Sequence, residues 1–308
     1  MKQLVFLSGK GGTGKTVVAA AFAHLAAEGA PRLRAVLADA DVDAANLDLV
    51  LGPRPLEAHD FVSGAVATID AQLCRGCGVC YAVCRFAAVL PPADGRTAYA
   101  VDPIACEGCA ACVYQCPEAA IQMTPQLAGR WFRSDSRYGP LFHASLRPAQ
   151  ENSGKLVTLV KQQARLLALD DGCDVVLVDG PPGIGCPAIS AISGADLALI
   201  VAEPTAAGIH DMARVLEMTA HFRVTALVCI NKADIYPEAA AQIEAYCRAE
   251  GVALVGRIPF DTAVTEALVH GQPVTAYRPA APAALALAEV WRRVADRLVE
   301  DAAKGERS

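Results

Sequence analysis

The sequence predicts a doubly wound, mostly parallel α/β sheet interrupted by one small inserted module of α+β type. Three observations lead there. Apolar runs at residues 3–8 and 34–39 flank a helical stretch at about 15–28, the strand–helix–strand rhythm of a parallel sheet. That rhythm stops after residue 39 and resumes only near residue 155. Eight of the twelve cysteines fall between Cys74 and Cys116, inside the interruption.

A chain of 308 residues suits about two domains, and its 54% hydrophobic content is ample for a sizeable core. The net charge of −6 gives no electrostatic reason to expect nucleic acid or an anionic membrane as partner. The start, MKQLVFLSGK, runs from one lysine through a short apolar run into a motif that must stay attached, so it is not read as a signal peptide. No apolar run approaches the roughly 20 residues that span a bilayer. The expectation is a cytoplasmic protein without stable membrane insertion.

In chain order, residues 3–8 read as a buried strand, 9–14 as a glycine-rich loop, 15–28 as a helix and 34–39 as a strand ending in an acid. From 65 to 124 the texture changes to short segments and Gly-Cys pairs, with little helical periodicity. Residues 129–147 suggest two short strands around Tyr138-Gly139-Pro140. A helix over about 155–169 resumes the alternation. Strands are expected at 174–178, 196–202, 224–230 and 253–257, with helices between them and two more near 262–270 and 282–300. The last of these mixes apolar, basic and acidic residues and reads as a packing helix; the polar tail KGERS is expected to fray. Asn152 or Ser153 is placed to cap the helix that follows the insert. The resulting division is 1–64 and 125–308 for the α/β domain and 65–124 for the insert.

The first chemistry-bearing motif is Gly9-Lys10-Gly11-Gly12-Thr13-Gly14-Lys15-Thr16, which matches G-x-x-x-x-G-K-[ST] between a strand and a helix. Glycines let successive backbone N–H groups turn toward phosphate oxygens, and a helix N-terminus adds a favourable field for the anion. In such a loop Lys15 reaches the β/γ-phosphates and the Thr16 hydroxyl ligates Mg²⁺. Two more strands end in acids: Asp39-Ala40-Asp41 and Asp179-Gly180-Pro181-Pro182-Gly183. Asn231-Lys232-Ala233-Asp234 closes a further strand and by itself also fits the guanine-reading N-K-x-D pattern.

With its second lysine, Lys10, the loop resembles the deviant Walker A motif of the MinD/Mrp/ParA ATPases and the nitrogenase iron protein. The resemblance covers about 1–51 and 155–299. It implies a P-loop ATPase acting on ATP with Mg²⁺ and releasing ADP, as a homodimer or paired with a related ATPase chain. Lys10 would reach the partner's nucleotide, and Asp39 would lie near the Mg²⁺ shell. Asp41 would orient the attacking water. Asp179 would hold Mg²⁺ through water, and the Gly183 amide would sense the γ-phosphate. Asn231 would contact adenine, with Pro259 beside the base. Together with Gly11, Gly12, Thr13 and Gly14, these are the expected nucleotide-site residues.

The second motif is a repeat. Cys74-x₂-Cys77-x₂-Cys80-x₃-Cys84 is followed by Cys106-x₂-Cys109-x₂-Cys112-x₃-Cys116-Pro117. This resembles the bacterial two-cluster ferredoxin, in which the fourth cysteine of each run ligates the other cubane. By that rule Cys74, Cys77, Cys80 and Cys116 hold one [4Fe–4S] cluster, and Cys106, Cys109, Cys112 and Cys84 hold the other. One departure is that Arg85, not proline, follows Cys84. Zinc on paired C-x-x-C motifs is the rival reading, and disulfides a remote one. Cys173, Cys186, Cys229 and Cys247 are expected to be small buried thiols; Cys186, just after Gly183, invites the question of an intersubunit metal site. The histidines, among them His59, His143 and His210, show no metal-ligand spacing.

The whole arrangement resembles MinD-superfamily ATPases with an inserted ferredoxin domain. It implies a nucleotide switch coupled to electron transfer through two clusters, with a redox or metallocofactor protein as partner. The alternatives are an ATPase that assembles or delivers a metal cofactor, and a MinD/ParA-like positioning ATPase without redox work.

Overall fold

The computed structural model describes residues 1–93, 95–147 and 153–305. The proposed capping residue Asn152 and the end of the tail lie outside them. The chain divides into two compact units: Met1–His59 with Arg130–Ser145 and Ser153–Ser308, and Asp60–Gly129 with Leu146–Asn152. The insert expected over 65–124 falls within the second.

The elements run β1 (Lys2–Ser8), α1 (Lys15–Glu28), β2 (Ala35–Asp39), α2 (Leu47–Leu51), β3 (Arg54–Ile69), α3 (Val79–Val83), β4 (Val89–Leu90), β5 (Ala100–Val101), α4 (Ala111–Gln115), β6 (Ile121–Ser136) and β7 (Gly139–Leu146). They continue with α5 (Ser153–Asp170), β8 (Val175–Pro182), α6 (Cys186–Ile192), β9 (Leu197–Ala202), α7 (Ala206–His221), β10 (Thr225–Asn231), α8 (Pro237–Ala249), β11 (Ala253–Ile258), α9 (Thr262–Val269), α10 (Val274–Tyr277) and α11 (Pro282–Gly305).

Among the described residues nine strands form one sheet in the order β11-β10-β9-β1-β8-β2-β7-β6-β3. Every pairing from β11 across to β7 is parallel. The central strand β1 is flanked in register by β8 (Leu4 opposite Leu177) and β9 (Leu4 opposite Leu197). Such strands are covered on both faces, which is why VFL, VVLV and LALIV read as unbroken apolar runs rather than alternating ones.

Two strands differ from expectation. β3 was not anticipated, because Arg54–Asp60 is exposed along its whole length and so carries no apolar alternation. β6 starts well before residue 129, through a segment that includes Pro125 and Gly129, residues that ordinarily punctuate strands. Both strands contribute residues to both units.

In the larger unit an aromatic ladder ties the sheet to the terminal helix. Phe6 packs edge-on against Phe22 at 5.3 Å, and Phe22 against Trp291 at 5.1 Å. Trp291 is fully buried, and its indole N–H donates to the Pro31 carbonyl at 3.3 Å. Leu287, Val290, Val294 and Leu298 are buried beside it, so α11 is a packing helix.

The smaller unit repeats itself. α3 and α4 are each five residues long and each follows a left-handed residue, Gly78 (φ 77) and Ala110 (φ 59). Each ends on a cysteine in extended conformation, Cys84 and Cys116. β4 and β5 pair antiparallel, and Ala67, Cys80, Val89 and Ile121 make the local core.

Candidate functional site

Because β1, β2, β8, β9 and β10 are parallel, the segments that leave them gather beyond one edge of the sheet, where open α/β sheets hold their ligands. A cavity of about 680 Å³ lies there. Its floor is the loop from Gly11 to Thr16; Asp41 and Asp43 line one side, and Pro181 and Pro182 another.

The loop takes its shape from backbone freedom and from side chains outside it. Gly12 (φ 79) and Gly14 (φ 92) are left-handed. A Cβ on Gly14 would overlap the Asn231 amide. Asn231 Nδ2 donates to the Thr13 carbonyl at 2.7 Å, Lys232 Nζ to the Gly12 carbonyl at 3.2 Å, and Ser8 Oγ to the Lys10 carbonyl at 2.9 Å.

Charge is concentrated at the start of α1. Lys15 is nearly buried; its Nζ lies 2.9 Å from Asp179 Oδ1 and 3.7 Å from Asp41 Oδ2. Burial opposes its charge, but Asp179, with Asp41 and Asp39 behind it, wins and raises the pKa. Asp39 is fully buried. Its Oδ1 accepts from the Asp41 amide at 3.1 Å, and its Oδ2 from the amides of Asn46 (3.1 Å) and Leu47 (3.0 Å), which fixes the loop into α2. Burial first, then the neighbouring Asp179, pushes the Asp39 carboxyl up to about 8, against the pull of these amides and Lys15. Burial also raises Asp41, with Lys15 opposing. Two buried carboxyl groups, Asp39 and Asp179, thus crowd one ammonium, and the raised Asp39 marks a donor set that a bound cation would return to its charged form. Asp179 Oδ2 and the Thr13 hydroxyl are buried with no hydrogen-bond partner among the described residues, which fits groups that await a ligand.

The remaining expected residues are distributed differently. Asn231 and Pro259 are not among the residues lining this cavity. Asn231 braces the loop through the Thr13 carbonyl. Asp234 Oδ1 accepts from the Phe260 amide at 2.7 Å, so one oxygen that a guanine reader needs is engaged in joining two loops. The Gly183 amide donates to the Ser8 carbonyl at 2.8 Å, an extension of the β1–β8 pairing, rather than pointing free into the cavity. Lys10 pairs with Glu203 at 2.9 Å. Glu203 also takes Lys232 at 2.9 Å and was missed by sequence reasoning. The signal was present: it is the first residue after the apolar strand LALIVA, at the ligand edge. Burial pushes its carboxyl up, but the two ammonium groups prevail and hold it below the usual range.

In the smaller unit the eight clustered cysteines line two separate cavities. Cys74, Cys77, Cys80 and Cys116 share one, with Tyr99 and Pro117. Cys84, Cys106, Cys109 and Cys112 share the other, with Phe86 and Val101. Gly76 and Gly108 are left-handed, and a Cβ on either would collide with a backbone carbonyl, of Thr97 and Ala65 respectively. The Ala120 amide donates to Cys116 Sγ at 3.4 Å. Among the described residues no group of three or more His, Cys, Asp or Glu is close enough to share a single metal ion.

Of the other cysteines, Cys173, Cys229 and Cys247 are buried as expected, but Cys186 is exposed at the start of α6. His59 stacks on Trp131 at 4.2 Å, and His143 shares a hydrogen bond with Ser134 at 3.0 Å. No described helix is long and apolar enough to cross a membrane.

Comparison with known proteins agrees with this geometry. The family model described as the CobQ/CobB/MinD/ParA nucleotide binding domain matches residues 4–274. An uncharacterized protein of Methanocaldococcus jannaschii is 31% identical over 75% of this chain and 78% of its own length. An uncharacterized ATP-binding protein of the same organism is 24% identical over 93% of this chain and 85% of its own. An iron-sulfur cluster carrier protein of Pyrococcus furiosus is 27% identical over 48% of this chain and 54% of its own. Among solved structures, the septum site-determining protein MinD of Pyrococcus horikoshii, complexed with Mg-ADP, superposes with a TM-score of 0.57 at 19% identity, covering 95% of each chain. The chain belongs to the CobQ/CobB/MinD/ParA nucleotide binding domain family and is a P-loop ATPase of the MinD/ParA type.

Proposed function

We propose that this ATPase couples its nucleotide switch to electron transfer through two [4Fe–4S] clusters held in the cysteine-rich unit. The observation that carries the reading is the sorting of eight cysteines into two quartets, each made of three from one run and the fourth from the other. A cubane takes one thiolate on each of four irons, so its ligands need not converge on a single ion. Hydrophobic cavity walls and the amide on Cys116 Sγ suit a cluster tuned by burial and N–H donors. Cys74, Cys77, Cys80 and Cys116 would hold the first cluster, and Cys106, Cys109, Cys112 and Cys84 the second. When bound, such clusters supply one-electron transfer.

At the nucleotide site the loop amides and Lys15 bind and orient the phosphates of ATP. Thr16, with Asp39 and Asp179, would hold Mg²⁺; the orphaned Asp179 Oδ2 supports this. Asp41, 3.7 Å from Lys15, orients the attacking water. The strand end at Pro181–Pro182 and the loop from Asp41 to Asn46 both line the cavity, so loss of the γ-phosphate would release contacts on two sides. Lys10, paired with Glu203 in the single chain, would turn from it to a second copy or a related chain in an ATP-dependent dimer. Asn231 and Pro259 are assigned to the adenine side. Partners of this reading are a redox enzyme or a metallocofactor protein, met in the cytoplasm.

A second reading has a specific observation behind it: the similarity to an iron-sulfur cluster carrier protein supports assembly or delivery of a metal cofactor. Chemical analysis of anaerobically purified protein tests the common premise. The proposal expects about eight irons and eight sulfides per chain; zinc in their place would overturn it.

A further inference from the structure

The phosphate loop works only if its amides face inward, which requires its carbonyls to face outward and find donors there. Three of those carbonyls are taken by side chains: Lys10 O by Ser8, Gly12 O by Lys232 and Thr13 O by Asn231. The Lys232 contact is the least secured. Its backbone is left-handed (φ 55), an unfavourable conformation for a lysine, and its long side chain has many rotamers to choose among. Glu203 removes that choice, because its Oε1 accepts from Lys232 Nζ at 2.9 Å. Its Oε2 meets Lys10 Nζ, also at 2.9 Å, at the start of the same loop. One carboxylate therefore holds the loop at two points, on a side that does not line the nucleotide cavity. It stands on the short segment between β9 and α7, directly after a strand buried along its whole length.

We propose that Glu203 is a positioning residue for ATP binding: by fixing Lys10 and Lys232 it holds the phosphate loop in its anion-binding shape. Electrostatics alone makes the opposite forecast. Glu203 is a negative charge near incoming phosphates, so simple removal of the charge would favour nucleotide. The sign of the effect therefore separates positioning from charge.

The test uses the full-length protein with Mg²⁺ and measures ADP and non-hydrolysable ATP-analogue affinity by calorimetry, together with steady-state hydrolysis. Glu203→Gln keeps the shape and removes the charge. The expected result is nucleotide binding weakened about tenfold, the scale of one charge-assisted hydrogen bond, with KM raised more than kcat falls and the melting temperature within about 2 °C of the parent. Glu203→Asp should recover part of the affinity. Lys232→Met should weaken binding similarly, and the double variant Glu203→Gln/Lys232→Met should be no worse than either single one, because the two act as a unit. Tighter or unchanged nucleotide binding in Glu203→Gln, or full additivity in the double variant, overturns the proposal. If Glu203→Gln does not fold, Lys232→Met and Ser8→Ala decide: both must weaken binding, and an unaffected Lys232→Met overturns it.

Discussion

Lys161 offers a sharp test of how the helices near the nucleotide loops are held. It sits on α5, almost fully buried, and its Nζ donates to the carbonyls of Ser190 (2.7 Å), Ala191 (2.6 Å) and Ser193 (2.7 Å). These close the C-terminal end of α6, the helix that follows β8 and the Gly183–Gly185 turn. A helix end leaves carbonyls without intrahelical partners, and here one ammonium satisfies three. Each charge-assisted bond is worth about 1.5–3 kcal/mol, while desolvation of a buried ammonium takes back several. Lys161→Met keeps the volume, leaves the carbonyls unpaired, and should cost about 1–3 kcal/mol of stability, the scale of buried acceptors left without donors. Urea unfolding at pH 7 followed by circular dichroism measures this directly. Burial, with a smaller contribution from Arg165, pulls the Lys161 pKa down to about 8, below its unfolded value of 10.5. Between those pH values the unfolded chain binds the proton more tightly, so this group makes stability rise as pH increases from about 8 toward 10.5. That rise should vanish in Lys161→Met. A loss under about 1 kcal/mol, or an unchanged pH slope, would refute the reasoning.

Two further substitutions separate the units. Lys15→Ala removes the ammonium that faces Asp179 and the phosphates, and should abolish ATP hydrolysis while iron content, measured in the same preparation, stays at the parent level; loss of iron would contradict separate sites. Cys116→Ser should damage the cluster of Cys74, Cys77 and Cys80 and spare the other, read by EPR of the reduced protein; loss of only the Cys106–Cys112 cluster would refute the crossed ligand sets.

Much of this was legible in the sequence because the physics is local. A phosphate loop must have glycines beside a strand end, and the Gly9–Thr16 motif sits where it must. The double run of cysteines carries its spacing openly. Buried parallel strands such as LALIVA declare themselves as apolar runs. What escaped is held by long-range pairing. β3 is a strand through its sheet neighbours, not through its own pattern, since Arg54–Asp60 is exposed throughout. Glu203 and Lys232 are 29 positions apart and meet only because β9 and β10 are adjacent and parallel. The family resemblance assigns Asn231 to the base, while its bond to the Thr13 carbonyl is seen only once the fold brings β10 beside the loop. Lys161 is one lysine among many until α6 places three carbonyls around it.

The most direct test of the central claim is an EPR redox titration of anaerobically purified protein, with and without Mg-ATP, alongside iron and sulfide analysis. The account predicts about eight irons per chain, two cubane signals, and potentials or electron-transfer rates to an acceptor that shift when Mg-ATP is added. Clusters that titrate identically in both states, with electron transfer indifferent to ATP, would contradict it.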